Sequence, residues 1–120
     1  MPVWTEKPAA MNDTVSANKW FPYRSFSGAD GTLKFPANCY GFEKVKLGIK
    51  LGGFTSVSLS VLEKDADGDF VARDPEITMS GITEDQVVEM YVDESIIAVK
   101  VDSVIGSGLG ELSLFGVPRS

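Results

Sequence analysis

Aspartates dominate one stretch of the chain, EKDADGDFVARDPE, residues 63–76, where Asp65, Asp67 and Asp69 alternate around Gly68. Alternating carboxylates next to a glycine can hold calcium, because a calcium loop takes oxygen ligands at positions 1, 3, 5, 7, 9 and 12 with glycine at 6. Counting from Asp65 puts Phe70 where the glycine must be. Counting from Glu63 places Gly68 correctly, but leaves a glutamate at the first position and the short Asp74 at the last. Each register breaks a rule. The competing reading is a hairpin: DADG suits a type I turn closed by Gly68, and aspartates favour turns because they bond local amides. The hairpin is the preferred reading, with Asp65, Asp67 and Asp69 kept as the weaker calcium candidate.

Other chemistry is sparse. Histidine is absent, so neither a Ser-His nor a Cys-His pair can form. Cys39 is the single cysteine, which excludes an intrachain disulfide and a multi-thiolate zinc site; a small buried hydrophobe is its plain role. Paired acids could in principle cleave glycosidic bonds. Here they fall on expected turns (Glu84 with Asp85, Asp93 with Glu94), where burial that would raise a catalytic pKa is rare. GSGLG, residues 106–110, precedes another strand and not a helix, so it reads as a hairpin and not as a phosphate cradle. No enzymatic constellation and no cofactor are expected.

The 120 residues suit one domain that buries roughly two-thirds of its unfolded surface. Hydrophobic residues make up 43% and charged residues 23%, the balance of a globular chain. The net charge of −6 argues against nucleic acid as a partner, since phosphate binding needs clustered Lys and Arg. Lys44, Lys46 and Lys50 alternate as the wet face of a strand would. Apolar runs such as SIIAVKV are too short to span a bilayer, and the N-terminus lacks signal-peptide features, so synthesis in the cytosol and no membrane partner are expected.

These residues must be positioned by strands. EKVKLGIKL sets Val45, Leu47, Ile49 and Leu51 on one face, and FTSVSLSVLEK sets Val57, Leu59 and Val61 against Ser56, Ser58 and Ser60. YRSFS and TLKF are expected strands, the second stopped by Pro36; DFVAR and EITMSGI are shorter strands around Asp74-Pro75. Residues 83–93 fit a capped helix or a strand, and their surroundings favour a short turn and then a strand. SIIAVKVDSVI and ELSLFGV complete about eight short strands, predicting an all-β fold, an antiparallel β-sandwich or jelly roll. Residues 1–22 show no period but carry both tryptophans. They are expected to form an extended arm ahead of a sandwich domain at 23–120, packed on its own domain or anchored on a neighbouring subunit. Val3, Trp4, Met11, Trp20, Phe21 and Tyr23 are the candidate partner-binding residues.

SIIAVKVDSVIGSGLGELSLFGV resembles the closing strands of small phage virion proteins, and VSLSVLEKDADGDF…PEITMSGITED resembles their central hairpin. The resemblance covers about residues 54–117 and concerns pattern more than signature residues. It implies a β-sandwich of jelly-roll type and a structural role in the virion, as a capsid decoration (cement) protein or a tail component. The implied partner is the major capsid protein, and a homo-oligomer, guessed as a trimer, would suit a capsid position. The chain departs from the pattern in carrying Phe70 where such sandwiches often have Trp. The alternative is a carbohydrate-binding or host-adhesion module, with Trp20, Phe21 and Tyr23 as part of an aromatic platform; no full sugar-binding set can be mapped.

Overall fold

Strict alternation of apolar and polar residues leaves each strand half buried, so two sheets must close on one another to hide their apolar faces. The computed structural model describes residues 15–29, 36–93 and 95–118, with backbone alone at 74–76. Its strands are β1 (Trp20–Phe26), β2 (Pro36–Asn38), β3 (Phe42–Lys50), β4 (Phe54–Lys64), β5 (Phe70–Ile82), β6 (Gln86–Tyr91), β7 (Ile96–Gly106) and β8 (Gly110–Pro118). They form two four-stranded antiparallel sheets, β1-β8-β3-β6 and β2-β7-β4-β5, and the fold is a β-sandwich, as the sequence predicts.

The pairing is nested. β4 pairs with β5, β3 with β6, β2 with β7 and β1 with β8, so the chain is one long hairpin whose tip is the 65–68 turn, rolled over on itself. The roll is held by the β3–β8 and β4–β7 ladders. Between the sheets lie Val45, Leu47 and Ile49 of β3, Leu112 and Leu114 of β8, Val57, Leu59 and Val61 of β4, and Ile97, Val99 and Val101 of β7. Burying each such side chain contributes about 1.5–3 kcal/mol.

Four local points bear on the sequence reading, and one of them, the strand at 86–91, is as expected. Pro36 lies within a described strand, β2, instead of following one; whether TLKF (32–35) is strand lies outside the described residues. Proline is tolerated there because β2 is an edge strand. The described β2 ladder runs to Pro36↔Ala98, and at Val99 two side chains of the opposite sheet bond the β7 backbone. The Val99 N–H donates to Tyr23 Oη at 3.2 Å, and its carbonyl accepts from Arg24 Nη1 at 3.4 Å. Second, DFVAR and EITMSGI are one strand, β5, whose ladder to β4 jumps from Leu62↔Ala72 to Val61↔Ile77. Third, residues 86–91 are strand β6 and not helix. Fourth, the expected boundary at residue 22 falls inside β1. Val15 is already core, its N–H donating to Asn38 O, and Ala17 bridges Gly116.

Candidate interaction face

Period-two alternation sends one residue set of the β1-β8-β3-β6 sheet into the core and the other to its outer surface. The register aligns that outer set in rows. Trp20 stands beside Phe115, Phe115 beside Lys46, and Lys46 beside Glu89; the next row runs Val117, Lys44, Tyr91, and another Ser113, Gly48, Val87. Trp20 and Phe115 meet in a tilted pair, ring centroids 5.3 Å apart at 57°. Lys46 Nζ lies 5.0 Å from the Phe115 centroid and Lys44 Nζ 5.6 Å from that of Tyr91, so both ammonium groups lean on aromatic faces. Trp20 is 44% exposed, Val87 57% and Tyr91 61%. The outer side of the other sheet contrasts with this. Its middle presents Ser56, Ser58, Ser60, Thr78, Lys100 and Asp102, with Ser60 Oγ donating to Asp102 Oδ1 at 3.2 Å.

One depression interrupts the aromatic face. A groove of about 510 Å³ is walled by Trp20 and Val87, floored by Gly48 and Ser113, and rimmed by Lys50, Asp85 and Gln86. Gly48 favours it: a Cβ there would sit 3.1 Å from Trp20 Cζ3, a tight contact that glycine spares, so the indole lies close on the sheet. Asp85 is fixed by accepting the Leu51 N–H at 3.0 Å.

The sequence-expected site residues are dispersed. Val3, Trp4 and Met11 lie outside the described residues. Trp20 is on the outer face, whereas Phe21 packs on the core and Tyr23 is buried within it. Neighbours along a strand point oppositely, so the three aromatics cannot form one exposed platform. The rest of the face, namely Gly48, Val87, Tyr91, Ser113 and Phe115, was not anticipated. Its readable signal was Phe115, which falls between the inward positions Leu114 and Gly116 and must therefore point out.

The acidic run forms the β4–β5 turn. Asp65 Oδ1 accepts the N–H groups of Asp67 and Asp69, each at 2.9 Å; the Gly68 N–H donates to Asp65 O, and Gly68 has φ 90°. The Asp65 carboxylate is thus a local cap for the turn. Among the described residues no three His, Cys, Asp or Glu side chains come together in a way that could hold a metal. Asp65→Ala should cost about 1 kcal/mol in urea unfolding, while calcium should leave the melting temperature of the parent protein unchanged. A calcium-induced rise that Asp65→Ala removes would reverse this assignment. Cys39 is a core thiol: burial pushes its pKa up to about 12 against the opposing charge of Arg73, which keeps it protonated and unreactive.

No family model matches the sequence, and no curated protein matches it. A crystal structure of the SPBc2 prophage-derived protein YomS aligns over 83% of this chain and 98% of its own, with a TM-score of 0.48 and 14% identity. That likeness is too slight to carry a function.

Proposed function

We propose that this protein is a non-enzymatic structural component of a bacteriophage particle, a decoration protein that seats the aromatic outer face of β1-β8-β3-β6 on the major capsid protein. The observation that supports it is the contrast between the two outer surfaces: one is serine-rich across its middle, with Ile105 exposed toward one end, while the other carries exposed Trp20 and Tyr91 beside Phe115, Lys44 and Lys46. Exposed apolar surface of this kind marks an interaction site, and Trp and Tyr are favoured anchors. The sequence resemblance to small virion proteins supplies the particle, and we read the nested strand order as the jelly roll which that resemblance implies. A cement protein strengthens a shell by adding contact area across subunit joints, so mass action favours the bound state without chemistry.

The test is to purify particles encoded with this chain and with a Trp20→Ser/Phe115→Ser variant. The parent chain should copurify in fixed ratio to the capsid protein, and the variant, folded by circular dichroism, should be lost from particles. Absence of the parent chain from particles, or equal incorporation of the variant, would sink the proposal.

A second reading rests on the groove over Gly48. An indole wall beside Lys50, Asp85, Gln86 and Ser113 offers a stacking surface and hydroxyl partners to one sugar ring. Quenching of tryptophan fluorescence by a saccharide, abolished by Trp20→Ala, would move the adhesion module ahead.

A further inference from the structure

Four strands lie on sheet edges, β1 and β6 in one sheet and β2 and β5 in the other. Exposed edges invite pairing with another chain, and proteins blunt them with proline, bulges, short strands or charge. Three of these edges are blunted. β1 carries Pro22 and a register break between Pro22 and Arg24. β2, as far as it is described, is Pro36–Asn38 and carries a proline. The ladder of β5 breaks twice, and Gly81 sits at φ 63° within the second break. β6 is different. Its sequence QVVEMY holds an unbroken register with β3, contains neither proline nor glycine, and carries one charge, Glu89, which pairs with Lys44 at 3.7 Å.

The ladder identifies which of its backbone groups are open. Val92 N–H donates to Glu43 O at 2.7 Å, so by antiparallel alternation Met90, Val88 and Gln86 bond to β3. Tyr91, Glu89 and Val87 therefore aim their N–H and C=O groups outward. The Tyr91 carbonyl is already taken by Arg73 Nη1, reaching over from β5. Val87 and Glu89 keep both groups open, and among the described residues β6 pairs with β3 alone.

We propose that β6 pairs antiparallel with β6 of a second copy of this chain, about a two-fold axis at Val88, joining two four-stranded sheets into one. Self-complementarity selects this partner and this register. With Val88 opposite Val88, Val87 of each copy faces Glu89 of the other, and each such pair exchanges two backbone bonds, closing every open group on both residues. Sliding one way sets Glu89 against Glu89 and brings Val87 to the occupied Tyr91 carbonyl. Sliding the other way sets Glu89 against Asp85. Of these three registers only the Val88-centred one keeps like charges apart, and directly opposed like charges destabilise a sheet. The contact is isologous, so it closes at a dimer. It stands independently of the virion reading.

The test is sedimentation velocity of the full chain across a concentration series. The wild type should reach twice its 12.9 kDa monomer mass. Val87→Pro removes an outward N–H and no bond to β3, so it should stay folded with the mass halved. Val87→Glu should also dissociate the dimer, by opposing Glu89 of the second copy, and Val87→Glu/Glu89→Lys should restore it. A wild type that stays monomeric throughout, or dimers indifferent to both Val87 variants, would overturn the proposal. So would a dimer that depends on residues 1–14 and ignores Val87→Pro, because the arm would then be the clasp.

Discussion

Gly52→Ala should bring the protein close to unfolding, lowering its melting temperature by about 10 °C or more. Two costs coincide at this residue. Its φ of 60° is left-handed, which charges a side-chain-bearing residue roughly 1–2 kcal/mol. A Cβ there would also stand 1.7 Å from Leu109 O and 2.5 Å from Leu109 C, backbone atoms that no rotamer change can move aside. A neighbouring backbone bond holds the two loops together, Leu109 N–H donating to Gly52 O at 3.0 Å. The β3–β4 turn and the β7–β8 loop would have to separate, taking that bond and the register of Lys50↔Glu111 with them. The summed cost is about 3 kcal/mol or more, a large share of the 5–15 kcal/mol that usually holds a domain together. Gly28 provides the control: nothing lies within 4 Å of its added Cβ, so Gly28→Ala should leave the melting curve nearly in place. Equal melting of the two variants would show that the loop contact is not as drawn.

Leu47→Ala should be the next most damaging change. Leu47 sits mid-strand in β3, 0% exposed, within the layer shared by both sheets. Truncation of a buried leucine costs about 2–5 kcal/mol, the spread reflecting how far neighbours can relax into the space. Here both flanking ladders, to β8 and to β6, fix the backbone, which limits that collapse and points to the upper half of the range. In urea the midpoint should fall with little change in slope. Lys46→Ala, one residue earlier and on the opposite face, should change stability by no more than about 0.5 kcal/mol. Similar losses from both substitutions would contradict the assignment of faces.

That contrast between neighbours also explains what could be read in the chain beforehand. β3, β4 and β7 were legible because their alternation is nearly unbroken, and the DADG turn was legible because Asp65 and Gly68 have local reasons to be there. β2 was not, because proline reads as a stop unless the strand is known to lie at an edge. The continuity of β5 was hidden by Asp74-Pro75, where the ladder skips residues while the strand runs on. Trp20, Phe21 and Tyr23 look like a cluster along the chain and part in space. The interaction face is drawn from four strands far apart in sequence, and nothing local to Gly48 reveals that Trp20 will cross above it. Strand order follows from contacts between distant segments, so it was out of reach of any local pattern.

The nested pairing has a consequence for how the chain is made. Only the central hairpin joins neighbours in sequence; each outer pair spans more of the chain, until Trp20 meets Phe115. Such remote contacts slow folding, because loop closure must precede the interactions that reward it. β1 pairs with β8 and with no other described strand, so while the ribosome is still building β8, β1 has no place to settle. Synthesis at roughly 5–20 residues per second keeps that strand waiting for several seconds, its aromatic residues open to chaperones and to other nascent chains. On this topology the protein should close from its middle outward, with β1, the first described strand, among the last to find its seat.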